Sequence, residues 1–369
     1  MTSYLLHLIF MQKLQRSVYI LLLLFLIFSG LYFAREFLIP LALAAILAML
    51  FVRFSNYLES KGMQRGWSAL VCVLLLIILV IGAITLLSLQ LSNLADNMEG
   101  IKKRLLDMVD QVKLWIQQTF NISYQKQKEL LEDQSKGSSA QIGSFAGSFM
   151  GILVNSVLVT VYIYLLLYSR NHIKQFIIRL FHTDKRVKTE KVIGESVQVA
   201  QKYLGGLSAM IVMLWIMYGI GFTIVGVEYA LFFAILCGLL EIVPFVGNIT
   251  GTSITILAVL VQGGDSSMLI GVVSTYLLVQ FLQTYIIEPL VVGEQVSLNP
   301  LFTIIVIVVG EMLWGIGGMV LAIPIVGIVK IICDNVPDLH PYGFLIGSEK
   351  KKKKRPMLFD KLRKKIKAH

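Results

Sequence analysis

Three glutamates stand where carboxylates are expensive. Glu241, Glu288 and Glu311 lie inside or beside apolar runs, and from Tyr203 to Val329 the chain has no Lys and no Arg. Glu228, Asp265 and Glu294 are the other acids of that stretch. An ionised carboxylate at membrane depth is costly and is normally paired. With no basic partner in its own half, such a group must be protonated, bind a cation, face water, or borrow Arg35 or Arg53 from the other half. Three of those four options belong to ion or proton handling. The competing reading of Glu241 is a protonated, hydrogen-bonded structural acid. Glu288 and Glu311 have the further option of a helix end in water.

Uncharged polar groups gather around the first of these acids. In EIVPFVGN, residues 241–248, Pro244 and Gly247 interrupt any helix, and Phe245 lies between them. Asn248, Thr250, Thr252, Ser253 and Thr255 follow, and Gln280 and Gln283 share one face of the next apolar run at a spacing of 3. Amides and hydroxyls beside one carboxylate suit a small polar solute or a cation. The plainer reading is that Asn, Gln and Thr in a membrane helix bond a neighbouring helix. Gly315 and Gly318, in GEMLWGIGG after Glu311, mark a second break. The expected binding set is therefore Glu241, Pro244, Phe245, Gly247, Asn248, Thr252, Gln280, Gln283, Glu288, Glu311, Gly315 and Gly318.

The elements that carry these residues are membrane helices. The chain has 369 residues, 56% hydrophobic and only 15% charged, and a soluble protein of this size carries far more charge. A helix needs roughly 20 apolar residues to cross about 30 Å of hydrocarbon, and runs of that kind occupy 17–34, 37–53, 67–90, 146–168, 207–226 and 268–290. Two further blocks, 229–262 and 300–331, are interrupted, and neither arm of either block crosses comfortably alone. A helical hairpin that enters and leaves on one side solves this, since non-helical backbone at membrane depth is tolerated where protein or water lines it. The expected fold is thus all-α and polytopic, with about six full spans and two re-entrant hairpins. Six spans and two hairpins leave the C-terminus inside; nine simple spans would put the lysine-rich tail outside. Glu241 precedes Gly247 as Glu311 precedes Gly317, and each block follows a full span of opposite direction, as an inverted repeat requires.

Net charge is +11, yet residues 349–369 alone hold eleven Lys and Arg against Glu349 and Asp360. The basic balance is mostly a tail, expected in the cytoplasm and against anionic lipid rather than on nucleic acid. Met357, Leu358, Leu362 and Ile366 recur at helical spacing there, so the tail can lie on the membrane. Segment 169–206 has eight Lys and Arg and reads as cytoplasmic, with an interface-lying helix pair around His182-Thr183-Asp184. Segment 91–145 has seven basic and seven acidic residues and is expected outside. Its Leu94, Met98, Ile101, Leu105, Met108, Val112 and Trp115 form a heptad seam, for packing within the chain or between copies. Gly137-Ser138-Ser139 reads as a flexible stop before the fourth span. Lys13 and Arg16 precede the first span, but Tyr32 occupies the −3 position of the one plausible cleavage site, so an uncleaved anchor is expected. Cys72, Cys237 and Cys333 make no metal or disulfide pattern, and the Asn121-Ile122-Ser123 sequon is discounted. The expected organisation is 1–92 for helices 1–3, 93–145 for an extramembrane helical loop, 146–206 for the fourth span and an amphipathic segment, 207–333 for a transport core, and 334–369 for a basic tail.

EIVPFVGNITGT, IIEPLVVGEQVSLNP and LWGIGGMVLAIPIVGIVK, together with IPLALAAILAMLF near the N-terminus and YLGG at the entry to the second half, resemble the autoinducer-2 exporter family, the PerM-like permeases, over almost the whole chain. The resemblance implies a bacterial inner-membrane transporter that forms oligomers. It links the family to export of autoinducer-2 and to sodium/proton antiport. By motif it carries over only Glu241, Pro244, Phe245, Gly247, Glu288, Pro289, Pro300, Gly315, Gly318 and Pro324. In the family that the chain resembles, glycine is an alternative at the position of Glu311. No His-Glu-x-x-His, Gly-x-Ser-x-Gly or phosphate-binding Gly-x-x-x-x-Gly-Lys occurs, and all five histidines fall outside the expected spans, so neither an intramembrane enzyme nor an ATP-driven pump is expected. No cofactor or metal is expected. The reading is a secondary transporter of a small polar solute, coupled to protons or sodium. The alternatives are a sodium/proton antiporter and a non-transporting oligomeric scaffold.

Overall fold

The computed structural model describes residues 2–95, 138–243, 246–291 and 298–348. Most of the heptad seam, Pro244, Phe245, Glu294 and the basic tail lie outside the described residues. Everything described is helical apart from turns and one isolated antiparallel bridge, Leu298 to Gly347. The helices are α1 Thr2–Phe33, α2 Arg35–Ser60, α3 Arg65–Ala95, α4 Ser138–Arg179, α5 Arg186–Val225, α6 Ala230–Leu240, α7 Val246–Val261, α8 Ser266–Leu282, α9 Pro300–Asn335 and α10 His340–Ile346. Beyond α8, a π turn at Gln283–Ile287 leads into one more α-helical turn, Glu288–Val291.

Six stretches among the described residues are long and apolar enough to cross a membrane: Leu14–Phe33, Arg35–Ser60, Arg65–Leu89, Thr183–Val225, Ser266–Ile287 and Pro300–Asn335. The protein is a multi-pass membrane protein. The fourth expected span, 146–168, falls within α4, which already begins at Ser138. The expected helix pair around His182 is the end of α4 and the start of α5, with a 3-10 turn at Thr183–Lys185 between them. Hence α5 runs unbroken for 40 residues, from the basic segment through the span.

Two cores organise the bundle. One joins α2, α3 and α4 around Ala44, Ala69, Cys72, Ile163 and Leu167. The other joins α5, α6, α7 and α8 around Leu214, Tyr218, Phe222, Phe233, Val259 and Val272. Small residues set the second core's tightness: a Cβ on Gly221 would stand 2.2 Å from Thr275 Cγ2, and one on Gly238 would stand 2.3 Å from Trp215 Cδ1. Close backbone approach of this kind is how membrane helices gain packing energy where lipid offers no hydrophobic drive. Between the halves, Gln201 Nε2 donates to the Met49 carbonyl at 2.8 Å. A polar knot closes the first core, where Arg170 donates to Ser55 Oγ and Asn56 Oδ1, each at 2.8 Å, and to Glu59 Oε1 at 2.5 Å.

Both interrupted blocks fold back on themselves. In the first, α6 and α7 run antiparallel: Gly247 abuts Leu240, Gly251 abuts Cys237, and Cys237 Sγ lies 3.6 Å from Thr255 Oγ1. In the second, α9 breaks at Gly315, whose φ of 60° and ψ of −142° suit glycine alone. Residues eight apart on a straight helix are about 12 Å apart. Yet a Cβ on Gly318 would stand only 1.9 Å from the Gly310 carbonyl oxygen, and Ile307 packs with Met319 and Ala322. Two arms of one helix lying side by side produce those contacts. The structural counterpart of Gly247 is Gly318, not the Gly317 that equal spacing suggests, because the second turn holds one residue more.

Candidate functional site

The first fold-back ends at Glu241. Its backbone N–H bonds the Cys237 carbonyl at 3.2 Å, closing α6, and Val243 N–H then bonds Leu240 O at 2.9 Å to begin the reversal. Gly247 is required there, since a Cβ would fall 1.6 Å from Leu240 O. The carboxylate emerges beside the end of α8, where Gln283 Nε2 donates to Glu241 Oε1 at 2.7 Å. Gln283 is only 4% exposed, and it opens the π turn, a widening that recurs at functional positions in helices. One turn of α8 earlier, Gln280 accepts from Asn248 Nδ2 and donates to Thr284 Oγ1 at 3.3 Å. Asn248, 9% exposed, sits beside Gly247 on α7. The two strands of this network, Glu241–Gln283 and Asn248–Gln280, thus bind both arms of the fold-back to a single turn of α8.

Two acceptors in this network go unused. Asn248 Oδ1 and Gln283 Oε1 are buried without a hydrogen-bond partner. A buried amide oxygen left unbonded costs about 1–3 kcal/mol. With the Glu241 carboxylate, and with the carbonyl end of α6 adding partial negative charge, the place is rich in acceptors and poor in donors. It suits something that brings donors or positive charge: a proton, a small hard cation, or a hydroxyl-bearing solute.

The structure thus brings together Glu241, Gly247, Asn248, Gln280 and Gln283 of the expected set, with Thr252 half-buried one turn beyond Asn248. Glu288 is exposed just past the π turn, and Glu311 is exposed on the first arm of the second fold-back. Gly315 forms the tip of that fold-back and Gly318 its closest crossing. The two fold-backs meet through Val243, which packs against Ile307, Met319 and Ala322. Several participants carried no sequence signal. Thr284 and Met210 are partners of Gln280 and Gln283, Met210 through Sδ at 3.8 Å from Gln283 Nε2. Trp314 Nε1 donates to the Leu31 carbonyl at 3.0 Å, fastening the second tip to the end of α1.

An all-helical membrane protein with two fold-backs in contact, one of them carrying a partly buried polar cluster at its tip, has the build of a permease. Comparison with known proteins agrees: the AI-2E family transporter description matches residues 20–338. The chain belongs to the AI-2E transporter family, and its role is membrane transport. Similar proteins include "Putative transport protein YueF" of Bacillus subtilis, 22% identical over 80% of this chain and 83% of that one. "Putative permease PerM" of Escherichia coli K12 is 24% identical over 84% and 90%, and "Putative transport protein YhhT" of the same strain is 19% identical over 89% and 93%.

Proposed function

We propose that this chain is a secondary transporter that exports a small polar solute, autoinducer-2-like or a related metabolite, across the bacterial inner membrane in exchange for protons or sodium. The observation that carries this reading is Glu241 at the tip of a fold-back, beside two buried amide oxygens without donors, in a half with no Lys or Arg. A scaffold gains nothing from burying such a group. Helix α6 has 11 residues and α7 has 16, about 17 and 24 Å at 1.5 Å per residue, against a hydrocarbon layer of about 30 Å. In this reading the first fold-back re-enters from outside and the second from the cytoplasm, both termini are cytoplasmic, and solute passes between the two tips. Helices α2–α4 form the fixed frame. Helix α1, whose apolar surface is exposed throughout its spanning part, faces lipid and neighbouring copies of the chain.

The test is ion and solute flux in liposomes holding the purified protein, wild type against Glu241→Gln. Coupled transport predicts that imposed proton or sodium gradients drive flux through wild type, and that the variant loses at least tenfold while melting within a few degrees of it. A variant that transports like wild type overturns the role given to Glu241. Ion exchange with no solute dependence favours the antiporter, and no flux of either kind through wild type favours the scaffold.

A further inference from the structure

A cavity of about 620 Å³ opens beside the α2–α3 turn, lined by Glu59, Met63, Arg65, Tyr168, Ser169 and His172. None of these belongs to the Glu241 cluster, and with Arg170 behind them two guanidiniums share the one carboxylate. Glu59 Oε1 is held by Arg170, which directs its other hydrogen bonds to Ser55, Asn56 and the Leu167 carbonyl. Arg65 is therefore a second guanidinium beside a carboxylate already occupied. Its Nε stands 3.8 Å from Glu59 Oε2, too far for a hydrogen bond, and is buried with no acceptor. Counting Arg170, the place holds one positive charge more than its single carboxylate, and the Arg65 Nε–H is left without an acceptor.

The residues in and next to the lining along α2, α3 and α4 have the composition of a membrane–water boundary. Trp67 is 63% exposed and Tyr168 51% exposed, and exposed Tyr57 carries Lys61 Nζ 4.7 Å above its ring. Such aromatic rings gather at headgroup level, where basic pockets between helices hold phosphate headgroups. Leu70 and Leu74 on α3 and Leu165 on α4 continue the exposed surface as an apolar track. A free phosphate has no use for that track; an acyl chain does.

We infer that this cavity binds the phosphate headgroup of an anionic phospholipid. Arg65 is the charged fork for the phosphate, His172 and the Ser169 hydroxyl are its further hydrogen-bonding partners, and the acyl chains lie along α3 and α4. Arg170 keeps Glu59 neutralised so that the anion is not repelled. Occupancy would staple the α2–α3 turn to α4 from the lipid side.

The test titrates the detergent-solubilised full-length protein with short-chain phosphatidylglycerol, phosphatidylcholine and inorganic phosphate, counting bound molecules by native mass spectrometry. Phosphatidylglycerol is expected to bind, Arg65→Gln to weaken it about tenfold, and the exposed His172→Gln, which carries little folding risk, to weaken it about threefold. Ten-millimolar inorganic phosphate is expected to leave the bound lipid in place. Unchanged phosphatidylglycerol binding in both variants overturns the site. Equal retention of phosphatidylcholine overturns the charge argument, and displacement of the lipid by inorganic phosphate overturns the lipid as its source.

Discussion

In the proposed transport reading, the Glu241–Gln283 hydrogen bond is where residue chemistry and flux would coincide. Gln283 gives one donor to the carboxylate and keeps its oxygen unbonded, so replacing it with leucine of similar volume removes a ligand and an unsatisfied group together. Gln283→Leu should therefore lower the melting temperature by only a few degrees, because relief of a buried orphan partly offsets leaving the Glu241 carboxyl without its donor. Its flux in the liposome assay should fall about tenfold. Glu241 was legible in the sequence because the Lys- and Arg-free half left it without a partner. Gln280 and Gln283 were legible as a shared face. That they hold different arms of one fold-back was not, since the partner of each is set by the π turn, and nothing in the residues Gln283–Ile287 announces a widened helix.

Among the elements, the two fold-backs depend on glycines at their closest crossings, and neighbouring glycines separate the possible registers. Gly318→Ala places a Cβ against the Gly310 carbonyl at 1.9 Å, whereas Gly317→Ala meets only one methyl of Ile39, Cγ2, at 3.1 Å. The first should cost about 3 kcal/mol or more and the second under about 1 kcal/mol, read from thermal or denaturant unfolding in detergent. Gly247→Ala, with 1.6 Å to Leu240 O, belongs with the severe class. The sequence disclosed both breaks, through Pro244 and Gly247 in one block and clustered glycines in the other. It paired Gly247 with Gly317 by equal spacing, which fails because the Gly315 turn needs an extra residue. The continuous α5 was hidden for a related reason: the charges of residues 169–206 mark an aqueous environment, and a helix crosses that boundary without interruption.

Across the whole molecule, the second fold-back is docked at its tip onto the first two helices, through Trp314 to Leu31 of α1 and Gly317 to Ile39 of α2. If transport requires that tip to move, fastening it must stop flux. A protein with Cys72, Cys237 and Cys333 replaced and Ile39→Cys with Gly317→Cys introduced should cross-link on mild oxidation. It should then lose flux, and regain it with reductant, as electrophoretic mobility and the liposome assay can follow together. The division into a charged half and a cation-free half was plain in the sequence, but this docking was not, because its partners lie 283 residues apart and neither bears a charge. The same division has a use at the bench. Trypsin cuts only after Lys and Arg, and between Lys202 and Lys330 there are none. A digest should release Tyr203–Lys330 as one large, greasy peptide bearing both fold-backs. A photoreactive solute analogue captured by the cation-free half will therefore travel on that single peptide, whose one side-chain amine is Lys330.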